Sequence, residues 1–314
     1  NLIENKAINN SIKLFRDVIN AGYNKIHIDT GIKLKSDKKL SKNQIINRCA
    51  RIFNSVDKKK LKNIYFVFGT EVPFAGGGKK YSSKVTKLNS IKNDYEHYSR
   101  FRDLFSLVIE PGLGFNNNKV FNLKMNFFKN KKSISFKNNF TYEAHSSDFQ
   151  SLFALKKLVK NNFKFLKVGP EITYKFMKSI MKMQSIENNL YFTKKSNIKK
   201  IISSEMDKDN RYWKDYYSGN KKRIEYLKFN SFLDRSRYYW DKRKVIYSLR
   251  LLKKNINSLN KEQLIYNSLL FKKNFSLKKR LNLDNFEFIN YCYLSETFSK
   301  YYKACDFKLK KIVN

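Results

Sequence analysis

Proline and glycine are scarce in this chain, with 3 and 10 residues among 314. No Pro/Ser-rich linker divides it, so its parts are expected to pack on one another rather than swing free. Cysteine is equally rare. Cys49, Cys292 and Cys305 have no metal-site spacing and suggest no disulfide framework, which points to a reducing cytoplasm. There are only three histidines, His27, His97 and His145, too few and too far apart for a compact metal motif. No apolar run approaches the roughly 18 residues a membrane span needs, so no membrane partner is expected. The opening Asn1-Leu-Ile-Glu4 has neither a charged-then-apolar secretory pattern nor an initiator Met. A fragment, a processed form and a trimmed form all fit that start.

Acidic residues are outnumbered, 26 Asp and Glu against 66 Lys and Arg, for a net charge of +40. Such a balance suits polyanions. The lysines are scattered, however, as in Lys58-Lys59-Lys60 and Lys221-Lys222, and form no dense stripe. Lys, Asn, Ile, Phe and Tyr are enriched together, as AT-rich codons would produce, so compositional drift outweighs a selected nucleic-acid site. Nonspecific polyanion binding at low salt follows from the charge alone. With 41% hydrophobic and 16% aromatic residues, the chain can bury a sizeable core.

Five short apolar runs each end in a polar residue or turn: Lys25–Asp29, Ile64–Glu71, Leu104–Glu110, Phe140–His145 and Phe165–Gly169. Continuous apolar runs of this length read as buried parallel strands. The segments between them are long enough for helices, so the pattern predicts βαβ units. Residues 9–21 carry apolar side chains at helical spacing, with Gly22 as a stop. Ser41 is a plausible N-cap for a helix over 41–56, and a further helix is expected over about 84–101. A helix after His145 would be capped by Ser146, Ser147 or Asp148. Tyr174–Ile186 reads as helix after Pro170. Strand signals fade from about residue 190. The expected division is a partial β/α barrel over 1–190 and an α-helical extension over 191–314 packed on it.

If the strands are parallel, Asp29, Glu71, Glu110, His145 and Lys167 converge on one face, where β/α barrels place their chemistry. Glu71 suits a divalent metal or a base. His145 suits a zinc site, with Glu143 or Asp148 to orient it, or a hydrogen-bonded core position. His27, between Ile26 and Ile28, reads equally as structural. Lys167 would form a Schiff base only if desolvated; a phosphate-binding or solvent-facing lysine is the favoured reading. Gly76 and Gly77, before Lys79-Lys80, suit a phosphate-wrapping loop, a mobile lid or a plain turn. Arg235 and Arg237 suit a phosphate or an ion-pair and packing motif.

Seven stretches, in order, resemble the GatZ/KbaZ-like family of Z-type tagatose-1,6-bisphosphate aldolase subunits. They are Ala21-Gly-Tyr-Asn-Lys-Ile-His-Ile-Asp29, Phe68-Gly-Thr-Glu-Val-Pro-Phe-Ala-Gly-Gly77, Ile109-Glu-Pro-Gly-Leu-Gly-Phe115, Tyr142-Glu-Ala-His-Ser-Ser-Asp-Phe-Gln150, Phe165-Leu-Lys-Val-Gly-Pro170, Tyr212-Trp-Lys-Asp-Tyr-Tyr217 and Asp234-Arg-Ser-Arg-Tyr-Tyr-Trp240. The resemblance implies an α/β fold of the TIM (β/α)8 type, here incomplete, with about five C-terminal strand–helix units and a helical extension. It implies a non-catalytic subunit supporting a catalytic Y-type partner in cleavage of a sugar bisphosphate, tagatose 1,6-bisphosphate, to glycerone phosphate and glyceraldehyde 3-phosphate. Zinc enters only through the likeness to class II aldolases; the residues themselves fix no cofactor. Gly114 stands where the family has an acidic residue and Glu110 where it has Gln. The chain starts just before what resembles the fourth barrel strand, without the family's Gly-Asp-His motif. A missing N-terminal part, a second chain that completes the barrel, and a decaying gene are the three expectations. The alternatives to the subunit reading are a metal-dependent sugar-phosphate lyase or epimerase using Glu71 and His145, and a polyanion-binding protein. No ATP-binding motif supports a kinase.

Overall fold

The computed structural model describes residues 2–69, 85–124 and 140–306. Its centre is a five-stranded sheet in the order β1 (Lys25–Asp29), β2 (Tyr65–Gly69), β3 (Phe105–Ile109), β6 (Thr141–Ala144) and β7 (Phe163–Leu166). Every neighbouring pair is parallel. A small antiparallel pair, β4 (Gly114–Phe115) and β5 (Val120–Phe121), lies between β3 and β6 in the chain. The five expected strands are therefore present, and the βαβ pattern holds.

Helices cover one face. Helix α1 (Leu2–Asn20) precedes β1, α2 (Lys42–Phe53) joins β1 to β2, α3 (Leu88–Tyr98) leads into β3, and α4 (Leu152–Lys160) joins β6 to β7. In α1, Ile8 is buried, which carries the helix further toward the start than residue 9. Helix α2 begins where Ser41 and Gln44 form a capping box, each side chain satisfying the other residue's backbone N–H. The cap of α4 is Ser151, whose hydroxyl accepts from the Ala154 N–H. Ser146, Ser147 and Asp148 do not serve there: Ser146 and Phe149 have positive φ, so the chain turns before the helix can start.

Alternate strand residues face these helices. Ile26, Ile28, Phe66, Phe68, Phe105, Leu107, Ile109, Tyr142, Ala144 and Phe163 form one buried cluster with Phe15, Phe53, Ile91, Tyr98 and Leu155. The rings of Phe68 and Tyr98 stack at 4.7 Å and 3°. A period-2 strand divides its side chains between two faces, so the apolar content goes to the helices and the opposite face receives the polar residues.

That opposite face is strongly concave. β1 and β7 are the two edges of the described sheet, and in a flat sheet four strand spacings would separate them by about 19 Å. Yet the Lys25 ammonium lies 4.9 Å from the centre of the Phe165 ring. Tyr65 of β2 contacts Phe165 of β7 edge-on at 5.1 Å, and its hydroxyl is 2.6 Å from Thr141 Oγ1 of β6. Contacts across three or four strands require the sheet to curl on itself.

The remaining helices are α5 (Pro170–Asn189), α6 (Ile198–Lys208), α7 (Lys221–Asn230), α8 (Arg243–Asn257), α9 (Lys261–Tyr266), α10 (Leu269–Arg280) and α11 (Asn285–Ala304). They enclose a second cluster around Met177, Ile180, Ile202, Tyr239, Leu252 and Phe288, with Trp213 and Trp240 packed against it. Helix α11 belongs to both clusters, through Phe288 and Ile289 in the second and Tyr301 and Ala304 in the first. Among the described residues, no helix is long and apolar enough to cross a membrane.

Candidate functional site

The concave face carries Lys25 and His27 from β1, Tyr65 from β2, Ser106 from β3, Thr141 and Glu143 from β6, and Phe165 from β7, as the strand register dictates. Its lower layer is a hydroxyl chain: Thr141 Oγ1 lies 2.5 Å from Ser106 Oγ and 2.6 Å from the Tyr65 hydroxyl. Above it lies an ionisable group. Glu143 is only 1% exposed, and its two oxygens have different partners. Oε2 accepts from Lys25 Nζ at 2.5 Å, and Oε1 lies 2.9 Å from His145 Nε2. Burial resists ionisation of Glu143, but the hydrogen bonds from His145 and Lys25 outweigh it and hold the carboxyl down at about 2.

His27 and His145 meet edge to face with ring centres 5.5 Å apart. Burial lowers both imidazoles, His27 to about 4, against the pull of Glu143. Both rings are therefore neutral near pH 7. His27 Nε2 is buried without a hydrogen-bond partner. Gly69 lies beside it: a Cβ at that position would sit 3.4 Å from His27 Nε2 and would clash with Val108 Cγ2 at 2.6 Å. His27, Glu143 and His145 each offer a ligand atom, all within 4.8 Å of one another. Lys25, Glu143, Lys164 and Lys167 line an open cleft of about 820 Å³ beside this group.

Of the residues singled out from sequence, His145 lies in this cluster and Glu143 orients it, as one of the two expected partners. Asp148, the other, is used elsewhere: Oδ1 accepts from the Gly169 and Glu171 N–H groups at the start of α5. Asp29 is half-buried at the end of β1 and accepts from the Gly31 N–H at 2.8 Å. Lys167 follows β7 and is exposed, with its charge acting on His27 and His145. Glu71, Gly76 and Gly77 lie outside the described residues. Arg235 and Arg237 are placed in the helical part. Arg235 lies 3.8 Å over the Tyr216 ring and donates to the Tyr212 carbonyl. Arg237 donates to the Leu233 and Asp234 carbonyls. These contacts match the packing alternative for the two arginines. Lys25 was absent from the sequence-derived set because its partner Glu143 is 118 residues away.

The profile of the family described as D-tagatose-1,6-bisphosphate aldolase subunit GatZ/KbaZ-like matches residues 1–306. The chain belongs to the GatZ/KbaZ-like family. The GatZ subunit of D-tagatose-1,6-bisphosphate aldolase from Klebsiella pneumoniae is 28% identical over 268 residues, covering 80% of this chain and 63% of that protein. The corresponding Salmonella typhimurium subunit is 25% identical over 271 residues, covering 81% of this chain and 64% of the relative. This member thus spans just under two thirds of the length of these GatZ relatives. Its fold matches the crystal structure of a probable tagatose 6 phosphate kinase from Sinorhizobium meliloti 1021, with a TM-score of 0.76, 20% identity, and coverage of 93% of this chain and 75% of that one.

Proposed function

We propose that this chain acts as a non-catalytic subunit of a tagatose-1,6-bisphosphate aldolase, supporting the activity and stability of a catalytic Y-type partner. The observation that carries this reading is the GatZ/KbaZ-like match over residues 1–306. The curl of the sheet supports a further step: the five parallel strands are a segment of a β/α barrel whose interior is the polar face around Glu143. An edge strand with open backbone groups invites another strand, so β1 and β7 are the places where such a barrel continues. A sugar bisphosphate is the substrate the complex serves.

Co-expression with a Y-type subunit tests the proposal. The two should co-purify, and the Y-type subunit should gain aldolase activity and thermal stability when this chain is present. A Y-type subunit unchanged in both respects would overturn it. The close His27–Glu143–His145 group favours a second reading, a metal-dependent sugar-phosphate lyase or epimerase. Turnover by this chain without a partner, lost in His145→Asn, would select that reading.

A further inference from the structure

We infer that His27, Glu143 and His145 form a binding site for one divalent transition-metal ion, with zinc as its natural occupant. The inference is independent of whether the chain serves an aldolase partner. It rests on donor chemistry, spacing and an unexplained atom. Two imidazoles and one carboxylate are the donor set that zinc accepts and that magnesium or calcium, which prefer all-oxygen shells, do not. Glu143 contributes the carboxylate oxygen of the set.

The spacing is close to what an ion requires. Zinc at about 2.0–2.2 Å from each ligand puts the donor atoms roughly 3–3.5 Å apart. Glu143 Oε1 and His145 Nε2 are already 2.9 Å apart. All three donors lie within 4.8 Å of one another, so closure needs at most about 1.8 Å. That adjustment is within the reach of imidazole and carboxylate rotation. The strands fix the rest: His27 and Glu143 occupy facing positions on a curled sheet rather than on mobile loops.

His27 Nε2 is the atom that a purely structural account leaves over. A buried nitrogen with no hydrogen-bond partner is destabilising, and a bound ion would satisfy it. A side chain at position 69 would reach it, and glycine stands there. Lys25 answers the opposite objection, that Glu143 is already paired. The Lys25 side chain is 37% exposed, so its ammonium can turn to solvent while the carboxylate takes a metal. Three protein ligands leave one position of a tetrahedral ion open, the pattern of zinc sites that take an exchangeable ligand. Here that position adjoins the cleft lined by Lys25, Lys164 and Lys167, which suits an anionic oxygen ligand such as a phosphate ester.

The test is direct titration of the metal-stripped native protein with Zn²⁺ in competition with a chromophoric chelator, and with Co²⁺ followed by its visible ligand-field absorption. One ion should bind per chain. His27→Gln and His145→Asn should each weaken binding by more than about 10-fold and alter the Co²⁺ spectrum, since loss of supporting contacts alone reaches that range. His97→Gln, in α3 and outside the three-residue cluster, should bind as wild type. Circular dichroism separates misfolding from ligand loss. His27→Gln guards against an unfolded variant, because the Nε2 it removes has no hydrogen bond to lose. Absence of stoichiometric binding, or binding unchanged in folded His27→Gln, would overturn the site.

Discussion

Gly69 sits where β2 ends between His27 and Val108, and its lack of a side chain is a packing requirement rather than a backbone one. A methyl group there meets Val108 Cγ2 at 2.6 Å, and neither neighbouring strand can withdraw without losing its ladder. Gly69→Ala should destabilise the protein by about 1–3 kcal/mol, measured as a lower urea midpoint. Asp148 yields a pH prediction. Burial pushes its carboxyl up to about 6, against the pull of the Glu171 and Gly169 N–H groups. The folded state therefore holds this proton more tightly than the unfolded chain, whose carboxyl titrates near 3.8. The contribution is fully present below 3.8 and is lost as pH rises through about 6. It amounts to something on the order of 3 kcal/mol. Asp148→Asn keeps the acceptor oxygen and removes the proton, so the stability of wild type relative to this variant should decline between pH 4 and pH 6 in denaturation curves. No such decline would contradict the assignment. These residues also show how far the sequence carries. His145 was legible as a candidate because it closes an apolar run. His27 was not, because a histidine alternating with isoleucines reads the same whether it serves a core or a ligand. Only the curl of the sheet distinguishes the two.

At the scale of elements, strands and helices announced themselves through apolar runs and caps, while their exact limits depended on tertiary contacts. Ser41 capped its helix as expected because the serine and Gln44 lie three residues apart and need nothing else. The last strand shifted: Phe163–Leu166 pairs with β6, where the apolar pattern suggested Phe165–Gly169. An irregularity between Tyr142 and Glu143 changes the register there, and the local pattern of β7 does not encode it. The short β4–β5 pair was missed because two-residue strands have no periodicity to read. Helix α11 matters beyond its length. Its Lys300 donates to the buried Glu171 at 2.6 Å, and its Tyr301 donates to the Ser147 carbonyl at 2.8 Å. Glu171 in turn accepts from the Phe149 N–H, just past β6. Lys300→Met should cost about 1.5–3 kcal/mol by leaving a buried carboxylate short of its cationic partner. Glu171→Gln in the same chain should recover part of that loss, because the stranded charge is then gone. Additive losses in the double variant would show that the two side chains do not act together.

Across the whole molecule, two apolar clusters share one helix. Phe288 and Ile289 anchor α11 in the helical cluster, and Ala304 anchors it in the sheet cluster. Neither cluster can open without disturbing that helix, so we expect one cooperative unfolding transition rather than two. Hydrogen exchange should report matching protection for the buried amides of β3 and α8; a clear gap between them would mean two independent units. The two tryptophans bear on how such a transition would be seen. Trp213 and Trp240, the only ones in the sequence, both pack with the helical cluster, and the aromatic members of the sheet cluster are phenylalanines and tyrosines. Indole fluorescence is therefore a reporter for one half of the protein alone. A ligand seated on the concave sheet face, however tightly, would leave that emission almost silent unless the message travelled along α11.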